Sequence, residues 1–353
     1  MTTSEKSSTP PNLSGTAPSL PSTAGLINLA EDRLGARMLY ATDDFFAAKE
    51  RLIQTADPVS KLGTYDDHGQ WMDGWESRRR RGGGHDYCIV ELAFPGYISL
   101  VDIDTTYFTG NHPPRASLDA ISSNIGDIDP LAEDAPWKEI LATAELGSSQ
   151  PNPFAIDNPG PWKFIRLQIY PDGGVARLRV HGRIERDWEE IKANLEPGEL
   201  LDLFAVENGG VPLLCNDQHY GTMYNLNRAG RGINMGDGWE TRRRREPGND
   251  WVIVKLGHPG VLKKVSVDTA HFKGNYPESV ALEGIYIDPE TSTDSDITPD
   301  LDWQPLMPKQ LLSADAEHEF HSELADHKKI THVKINIFPD GGLSRVRLIG
   351  TLA

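Results

Sequence analysis

The sequence of 353 residues contains little cysteine and no long hydrophobic run. Its two cysteines, Cys88 and Cys215, are too few for a disulfide framework or a cysteine-based zinc site. No apolar stretch approaches the roughly 18–20 residues that a membrane span needs. The first 25 residues also lack the apolar segment of a signal peptide. We therefore expect a cytoplasmic protein with no membrane partner.

Positive charge is scarce, and several well-known catalytic motifs are missing. Lys and Arg total 35 against 52 Asp and Glu, which gives a formal net charge of −17. This balance argues against a nucleic-acid binder, because such proteins usually carry a basic surface. The chain has no Gly-x-Gly-x-x-Gly or Walker loop, no Gly-x-Ser-x-Gly elbow and no His-Glu-x-x-His motif. Nucleotide binding, serine hydrolysis and zincin chemistry therefore have no support.

An internal duplication dominates the chain after a Ser/Thr/Pro-rich tail at residues 1–25, which we predict to be disordered. Residues 72–81 return as residues 236–245, with eight of ten positions identical. Pro-Asp-Gly-Gly also occurs twice, once in each copy. We therefore predict a first repeat at 26–186, a linker with a short helix at 187–200, and a second repeat at 201–353.

Each repeat has the pattern of a β protein. Apolar and polar residues alternate over 164–170, and Pro-Asp-Gly-Gly then separates this stretch from a second alternating one at 175–180. We interpret the pair as a hairpin in which Gly supplies the positive φ angle. Residues 87–92 and 251–256 are predicted to be short buried strands that end at Pro-Gly. Helices are predicted only at 188–195 and at 45–53. Many short strands with Gly/Pro turns indicate β-sandwiches.

Each copy contains four consecutive arginines after Asp-Gly-Trp-Glu and a Ser or Thr. One interpretation is a solvated segment whose arginines pair with acidic neighbours. Because the run occurs twice in an acidic chain, we favour a role in binding a planar anion such as a carboxylate. On a strand, only alternate arginines share a face. The first and third, or the second and fourth, could therefore line one pocket, and spacing does not choose between them.

Carboxylates and histidines near the arginines are candidates for acid–base chemistry. The carboxylates of the first copy are Asp73, Glu76, Asp86 and Asp104. Their counterparts in the second copy are Asp237, Glu240, Asp250 and Asp268. The histidines differ between copies: His85 becomes Asn249, His271 matches Tyr107, and His112 matches Tyr276. Because the first repeat has His85, we favour it as the catalytic one.

The duplicated motifs resemble the allantoicase family. The resemblance rests on Asp-Gly-Trp-Glu-Ser/Thr-Arg-Arg, on Gly-His-Asp at 84–86, on residues 104–111 and on Pro-Asp-Gly-Gly, and it covers about residues 26–353. It implies an all-β fold of two tandem jelly-roll, galactose-binding-like sandwiches with few short helices, which agrees with the strand pattern. It also implies a hydrolase that converts allantoate and water to ureidoglycolate and urea in purine degradation, and a homo-oligomer.

Chemistry rather than the resemblance suggests the residue roles. We hypothesise that Arg78, Arg79 and Arg80 clamp the substrate carboxylate. Glu76 or Asp73 would act as the base and His85 as the acid. Asn111 would bind a ureido carbonyl, and Asp86 and Asp104 complete the substrate-binding set. The second-repeat counterparts are Asp237, Glu240, Arg242, Arg243, Arg244, Asp250, Asp268, His271 and Asn275. Both direct displacement and an imine route stay open.

Two alternatives to this scheme are kept. The motifs identify no cofactor, and whether a metal is needed stays open, since a divalent metal such as Mn could instead polarise the ureido oxygen. The competing function is a non-enzymatic tandem jelly-roll protein that binds carbohydrate or another ligand, because fold alone does not fix function. Such a protein would use Trp75 and Trp239 as stacking platforms.

Overall fold

The computed structural model describes residues 22–288 and 291–353, and it is built almost entirely of β-strands. The predicted tail at 1–25 lies mostly outside the described residues. Two consecutive β-sandwich units, each with an eight-stranded hydrogen-bonded sheet, make up the described residues. They confirm the predicted all-β fold. None of the helices in these ranges is long and apolar enough to span a membrane.

The first unit holds twelve strands and the second holds ten. The strands of the first are β1 (Ile27–Asn28), β2 (Arg37–Ala41), β3 (Tyr65–Asp66), β4 (Gly69–Gln70), β5 (Trp75–Glu76), β6 (Asp86–Asp104), β7 (Arg115–Ser122), β8 (Lys138–Glu145), β9 (Pro153–Ala155), β10 (Trp162–Tyr170), β11 (Gly174–Val175) and β12 (Arg177–Ile184). Those of the second are β13 (Leu201–Asp202), β14 (Val211–Cys215), β15 (Trp239–Glu240), β16 (Asp250–Asp268), β17 (Ser279–Ile285), β18 (Gln304–Leu311), β19 (Glu317–Phe320), β20 (Ile330–Phe338), β21 (Gly342–Leu343) and β22 (Arg345–Leu352).

Among the described residues, helical structure is limited to one α-helix and short 3-10 turns. Helix α1 (Trp188–Asn194) begins where the sequence predicts it, with the Asp187 side chain accepting the N–H of Glu190 at 2.9 Å. Of the helix predicted at 45–53, only a 3-10 turn at Lys49–Ile53 forms. The other 3-10 turns are Asp32–Leu34, Ser123–Ile125, Val206–Asn208, Met223–Asn225, Met235–Asp237 and Asp294–Asp296.

Strands β6 and β16 are the central elements of the two units, and each is 19 residues long. The first half of β6 pairs with β2 and β10, and the second half pairs with β9 and β12. The prediction of short strands ending at Pro-Gly is therefore wrong. The chain continues through Pro95-Gly96, where the register of the β10 pairing shifts and a side chain at Gly96 would meet the Arg183 carbonyl oxygen at 2.5 Å.

The segments around Pro-Asp-Gly-Gly do not form the predicted hairpin. Strands β10 and β12 both pair with β6 rather than with each other, and the intervening β11 pairs with β5. The second unit repeats this arrangement with β20, β22 and β16. The turn itself is as predicted, since Gly173 and Gly341 have φ angles of 141° and 132°. Each turn therefore connects segments that lie along different parts of one long strand.

The core follows the alternation read from the sequence. Ile165, Leu167 and Ile169 of β10 are fully buried. The core of the first unit also includes Val211 and Leu213 of the second, so the two units share packed apolar surface. This packing leaves the arginine loops after β5 and β15 as irregular segments at the surface of each unit.

Candidate functional site

Two carboxylates fix the main chain of each arginine loop. Asp43 accepts the backbone N–H of Arg78 at 2.9 Å and its Nε–H at 2.8 Å. Burial by itself would raise the pKa of Asp43, but the hydrogen bonds from Arg78 outweigh it and hold that pKa below its usual value. Asp172, from the Pro-Asp-Gly-Gly turn, accepts the backbone N–H of Arg80 at 2.7 Å. Asp217 and Asp340 make the same bonds to Arg242 and Arg244.

The third arginine of each loop is held by a buried carboxylate. Arg80 Nη2 lies 2.6 Å from Asp86 Oδ1, and Arg244 Nη1 lies 2.7 Å from Asp250 Oδ1. Asp86 also accepts the Thr42 hydroxyl at 2.9 Å. The first and third arginines of each run are thus already paired within the protein.

The second arginine of each run has no such partner. Arg79 and Arg243 are exposed and form no ion pair or hydrogen bond with any other described residue. The structure therefore distinguishes two alternatives that spacing left equal. Arg81 and Arg245, the fourth arginines, are likewise exposed and unpaired among the described residues, so the second and fourth positions are the ones available to an external anion.

A glutamate lies beside each loop and is oriented by an asparagine. Asn111 Nδ2 donates to Glu76 Oε1 at 2.7 Å, and Asn275 makes the equivalent bond to Glu240. Glu76 is buried, and this desolvation raises its pKa despite the opposing bond from Asn111. The hydrogen bond between asparagine and glutamate thus occurs in both units.

An open cavity of about 700 Å³ adjoins the arginine loop of the second unit. Among its lining residues are Glu240, Arg243, Asn275, Tyr276 and Tyr220. Its volume and polar lining suit a small anion with several hydrogen-bonding groups.

Asp73 and Asp237 are directed away from the arginine loops. The Asp73 carboxylate accepts a bond from Arg177 Nη2 at 2.9 Å and from the backbone N–H of Val59 at the same distance. Asp237 pairs in the same way with Arg345. Both pairs are buried, so these two carboxylates are occupied by structural arginines.

Four further predicted residues, His85, Asp104, Asp268 and His271, form hydrogen bonds with groups other than the glutamate and the unpaired arginine. His85 Nε2 bonds Gln168 Oε1 at 2.8 Å, and its equivalent Asn249 bonds Asn336. Asp104 accepts the N–H of Thr106, two residues onward. The remaining contacts are those of Asp268 with Arg231 and of His271 Nε2 with the Gly232 carbonyl.

Two observations concern the carbohydrate-binding and manganese alternatives. Trp75 and Trp239 are fully buried, and each indole N–H donates to the carbonyl of Asp43 or Asp217 at 2.8 Å. Neither can stack on a sugar. Within 22–288 and 291–353, no three His, Cys, Asp or Glu side chains converge as metal ligands. The donor set for the manganese alternative is therefore not seen there.

Sequence reasoning missed the carboxylates that build the loop, Asp43 and Asp172, together with Tyr220. In the sequence, Asp43 lies just before the helix predicted at 45–53, and Asp172 lies in the predicted Pro-Asp-Gly-Gly turn. Their recurrence as Asp217 and Asp340 is the signal that could have identified them.

Comparison with known proteins places the chain in a family. The model of the allantoicase repeat matches residues 27–185 and 201–353. The chain belongs to the allantoicase family. It is 50% identical to a probable allantoicase of Pseudomonas syringae pv. syringae strain B728a over 328 residues, covering 93% of this chain and 96% of the relative. A probable allantoicase of Stutzerimonas stutzeri strain A1501 is 52% identical over 325 residues, covering 92% and 96%.

Solved structures of the allantoicase family have the same architecture. The crystal structure of allantoicase from Saccharomyces cerevisiae is 34% identical, covers 93% of this chain and 94% of its own, and superposes with a TM-score of 0.77. A second allantoicase structure is 33% identical, with coverage of 94% and 95% and a TM-score of 0.78. As a member of the allantoicase family, the chain is a hydrolase with two tandem β-sandwich units.

Proposed function

We propose that this chain hydrolyses allantoate to ureidoglycolate and urea in purine degradation, and that the reaction takes place in the cavity of the second unit. The observation that carries the proposal is the unpaired guanidinium of Arg243 beside Glu240 in that cavity. The names of the relatives support the substrate class, and the geometry of the cavity supports the binding mode that we propose.

Arg243 binds the carboxylate of allantoate. A guanidinium can donate two parallel hydrogen bonds to a planar carboxylate, and such charge-assisted pairs fix orientation as well as position. Arg242 and Arg244 keep their internal partners and hold the loop that presents Arg243. The sequence suggested that three arginines bind the carboxylate, and we now propose that Arg243 alone does so.

Glu240 acts as the general base toward water, and Asn275 orients it. The Asn275 amide donates to one carboxylate oxygen, which leaves the other free to accept a proton. Glu240 is preferred to the counterpart of Asp73 because Asp237 is already paired with Arg345. No step in this scheme passes through a metal.

The second unit is preferred to the first for two reasons. The sequence-based preference for the first rested on His85, whose Nε2 bonds Gln168 rather than a group of the arginine loop. The cavity of about 700 Å³ lies against the second loop.

The test is urea release from allantoate by the purified chain and by arginine variants. We expect Arg243→Ala to raise KM about 10- to 100-fold, because one charge-assisted pair contributes roughly 1.5–3 kcal/mol. Arg245→Ala, in the same loop but outside the cavity lining, is the matched control and should leave KM unchanged. Arg79→Ala reports on the first unit and should have the smaller effect.

Two results would contradict the proposal separately. A wild-type chain that releases no urea would reject the activity. An active chain in which Arg243→Ala retains its KM would reject the clamp. If Arg79→Ala alone raised KM, the reaction would belong to the first unit.

The proposal includes a cytoplasmic location and a homo-oligomer, both expected from the sequence and its resemblance. Sedimentation of the full chain and fractionation of cells that express it test these two points.

A further inference from the structure

The cavity of the second unit contains two tyrosine hydroxyls that the first unit lacks. Tyr276 follows Asn275, and His112 follows the equivalent Asn111. Tyr220 precedes Gly221, which bridges to Glu240, and Phe46 precedes Ala47, which bridges to Glu76. The two units therefore differ at equivalent positions around an otherwise shared glutamate and asparagine.

The burial of the two tyrosines separates their roles. Tyr220 is 64% exposed, whereas Tyr276 is partly buried and packs against the apolar core of the second unit. Neither hydroxyl is hydrogen-bonded to another group in the part of the chain that the structure describes. A proton donor works best where water does not compete, which favours Tyr276.

Release of urea requires such a donor, because an unprotonated ureido nitrogen is a poor leaving group. The other polar groups of the lining do not meet the need. The Thr241 hydroxyl is already bonded to the main chain of Gly341. Glu278 is exposed, so water competes with substrate for its carboxyl group. Arginine holds its proton too tightly to act as an acid.

We propose that Tyr276 is the general acid that protonates the departing urea, an inference that rests on the proposed function. As the bond between the central carbon and the leaving nitrogen breaks, its electron pair stays on that nitrogen, which takes the Tyr276 proton. The oxygen of water bonds to the central carbon, and its proton goes to Glu240. Transfer of that proton from Glu240 back to the Tyr276 oxygen restores both groups.

The decisive variant is Tyr276→Phe, which keeps the packed ring and removes only the hydroxyl. We expect kcat for urea release to fall about 10²- to 10⁴-fold, the range for loss of one general acid, with KM changed less than threefold. The alkaline decline of kcat/KM should disappear. Affinity for N-carbamoylglycine, which has the carboxylate and one ureido group, should match that of the wild type by calorimetry.

A second variant tests independently, through the pH profile of kcat, whether a proton is transferred from this position. Tyr276→His introduces the residue found in the first unit. It should restore part of the lost kcat and move the alkaline decline toward the imidazole pKa of about 6.5. A purely structural role for Tyr276 would not shift the pH profile in this way.

His112→Phe, the equivalent change in the first unit, is the control and should leave kcat unchanged. Full activity of Tyr276→Phe in an otherwise active chain would overturn the inference while leaving the proposed function intact. Loss of kcat in Tyr220→Phe with no loss in Tyr276→Phe would also overturn it, by assigning the proton to Tyr220. A wild-type chain without urea release would reject the proposed function itself.

Discussion

Neighbouring residues of the same type have different roles in this protein because their partners differ. Arg78 and Arg80 are chemically identical to Arg79, yet Asp43 binds Arg78, Asp86 binds Arg80, and Arg79 remains unpaired. The same separation occurs at Arg242–Arg244. Partner availability, rather than residue identity, therefore determines which guanidinium forms no internal ion pair.

Asp102 shows how burial alone changes the behaviour of one residue. It lies on β6 and accepts the N–H of Asn152 at 2.7 Å. Burial is the largest influence on its carboxyl group and, with a smaller contribution from Asp104, raises its pKa to about 6. The folded chain therefore takes up this proton at higher pH than the unfolded chain, whose value is near 3.8. The free energy of unfolding falls as pH rises between these two values.

We predict that Asp102→Asn stabilises the protein at pH 7.5 by up to about 3 kcal/mol, since each pKa unit corresponds to roughly 1.4 kcal/mol. The gain should shrink toward zero as pH approaches 4. Urea unfolding of both proteins across this range measures it. Asp67→Asn, at an exposed position, is the control and should show no pH-dependent difference. A constant difference at every pH would contradict the assigned cause.

At the scale of elements, the turn between β10 and β11 holds the arginine loop and the asparagine loop together. The Gly173 carbonyl accepts the N–H of Ser77, and the N–H of Gly174 donates to the Asn111 carbonyl at 2.8 Å. Asp172 in the same turn binds the main chain of Arg80. The Pro-Asp-Gly-Gly turn thus fixes the position of Asn111, which donates to Glu76, relative to the arginine loop.

Gly173→Ala should disrupt that turn. Gly173 has a φ of 141°, and an added Cβ would lie 2.6 Å from the Asn111 carbonyl oxygen. We expect the free energy of unfolding to drop by about 1–3 kcal/mol, measured by denaturant titration. Gly110→Ala is the matched control, because no atom lies within 4 Å of its new Cβ. Equal stability of the two variants would show that the turn relaxes at no cost.

At the scale of the whole molecule, the two units are joined by buried charges as well as by apolar packing. Glu31 of the first unit pairs with Arg228 of the second, and both are almost fully buried. The Thr55 hydroxyl also donates to Glu31 at 2.9 Å. Arg33 makes a second pair across the interface with Asp237. The interface therefore contains charged side chains that are each neutralised by a partner in the other unit.

We predict that Glu31→Ala lowers the free energy of unfolding by about 3–5 kcal/mol, because it leaves the Arg228 charge buried without compensation. Combining Glu31→Gln with Arg228→Met should recover most of the loss. Arg37→Ala, which breaks the exposed pair with Glu91, should cost less than about 1 kcal/mol. Urea unfolding measures the free energy of unfolding of all these variants. If Glu31→Ala lowered it no more than Arg37→Ala does, the coupling of charges across the interface would be refuted.

The sequence by itself determined the duplication, the β character and the residue types of the site. These properties can be read from short stretches of sequence. The alternation over 164–170 indicates a strand with one buried face, and the recurrence of glutamate, asparagine and arginine indicates that the two units have equivalent loops. Glu76 and Asn111 were both candidates on this basis, and the Asn111 amide donates to the Glu76 carboxylate at 2.7 Å.

Only the tertiary structure decided which strands pair and which side chains remain available. Three features depend on contacts between residues distant in the chain. They are the pairing along the 19-residue strands, the ion pair of Asp73 with Arg177, and the hydrogen bond of His85 with Gln168. A one-dimensional pattern shows that a residue is charged or buried. It does not show which residue, distant in the chain, lies in contact with it. That contact determines whether an arginine forms an internal ion pair or remains unpaired.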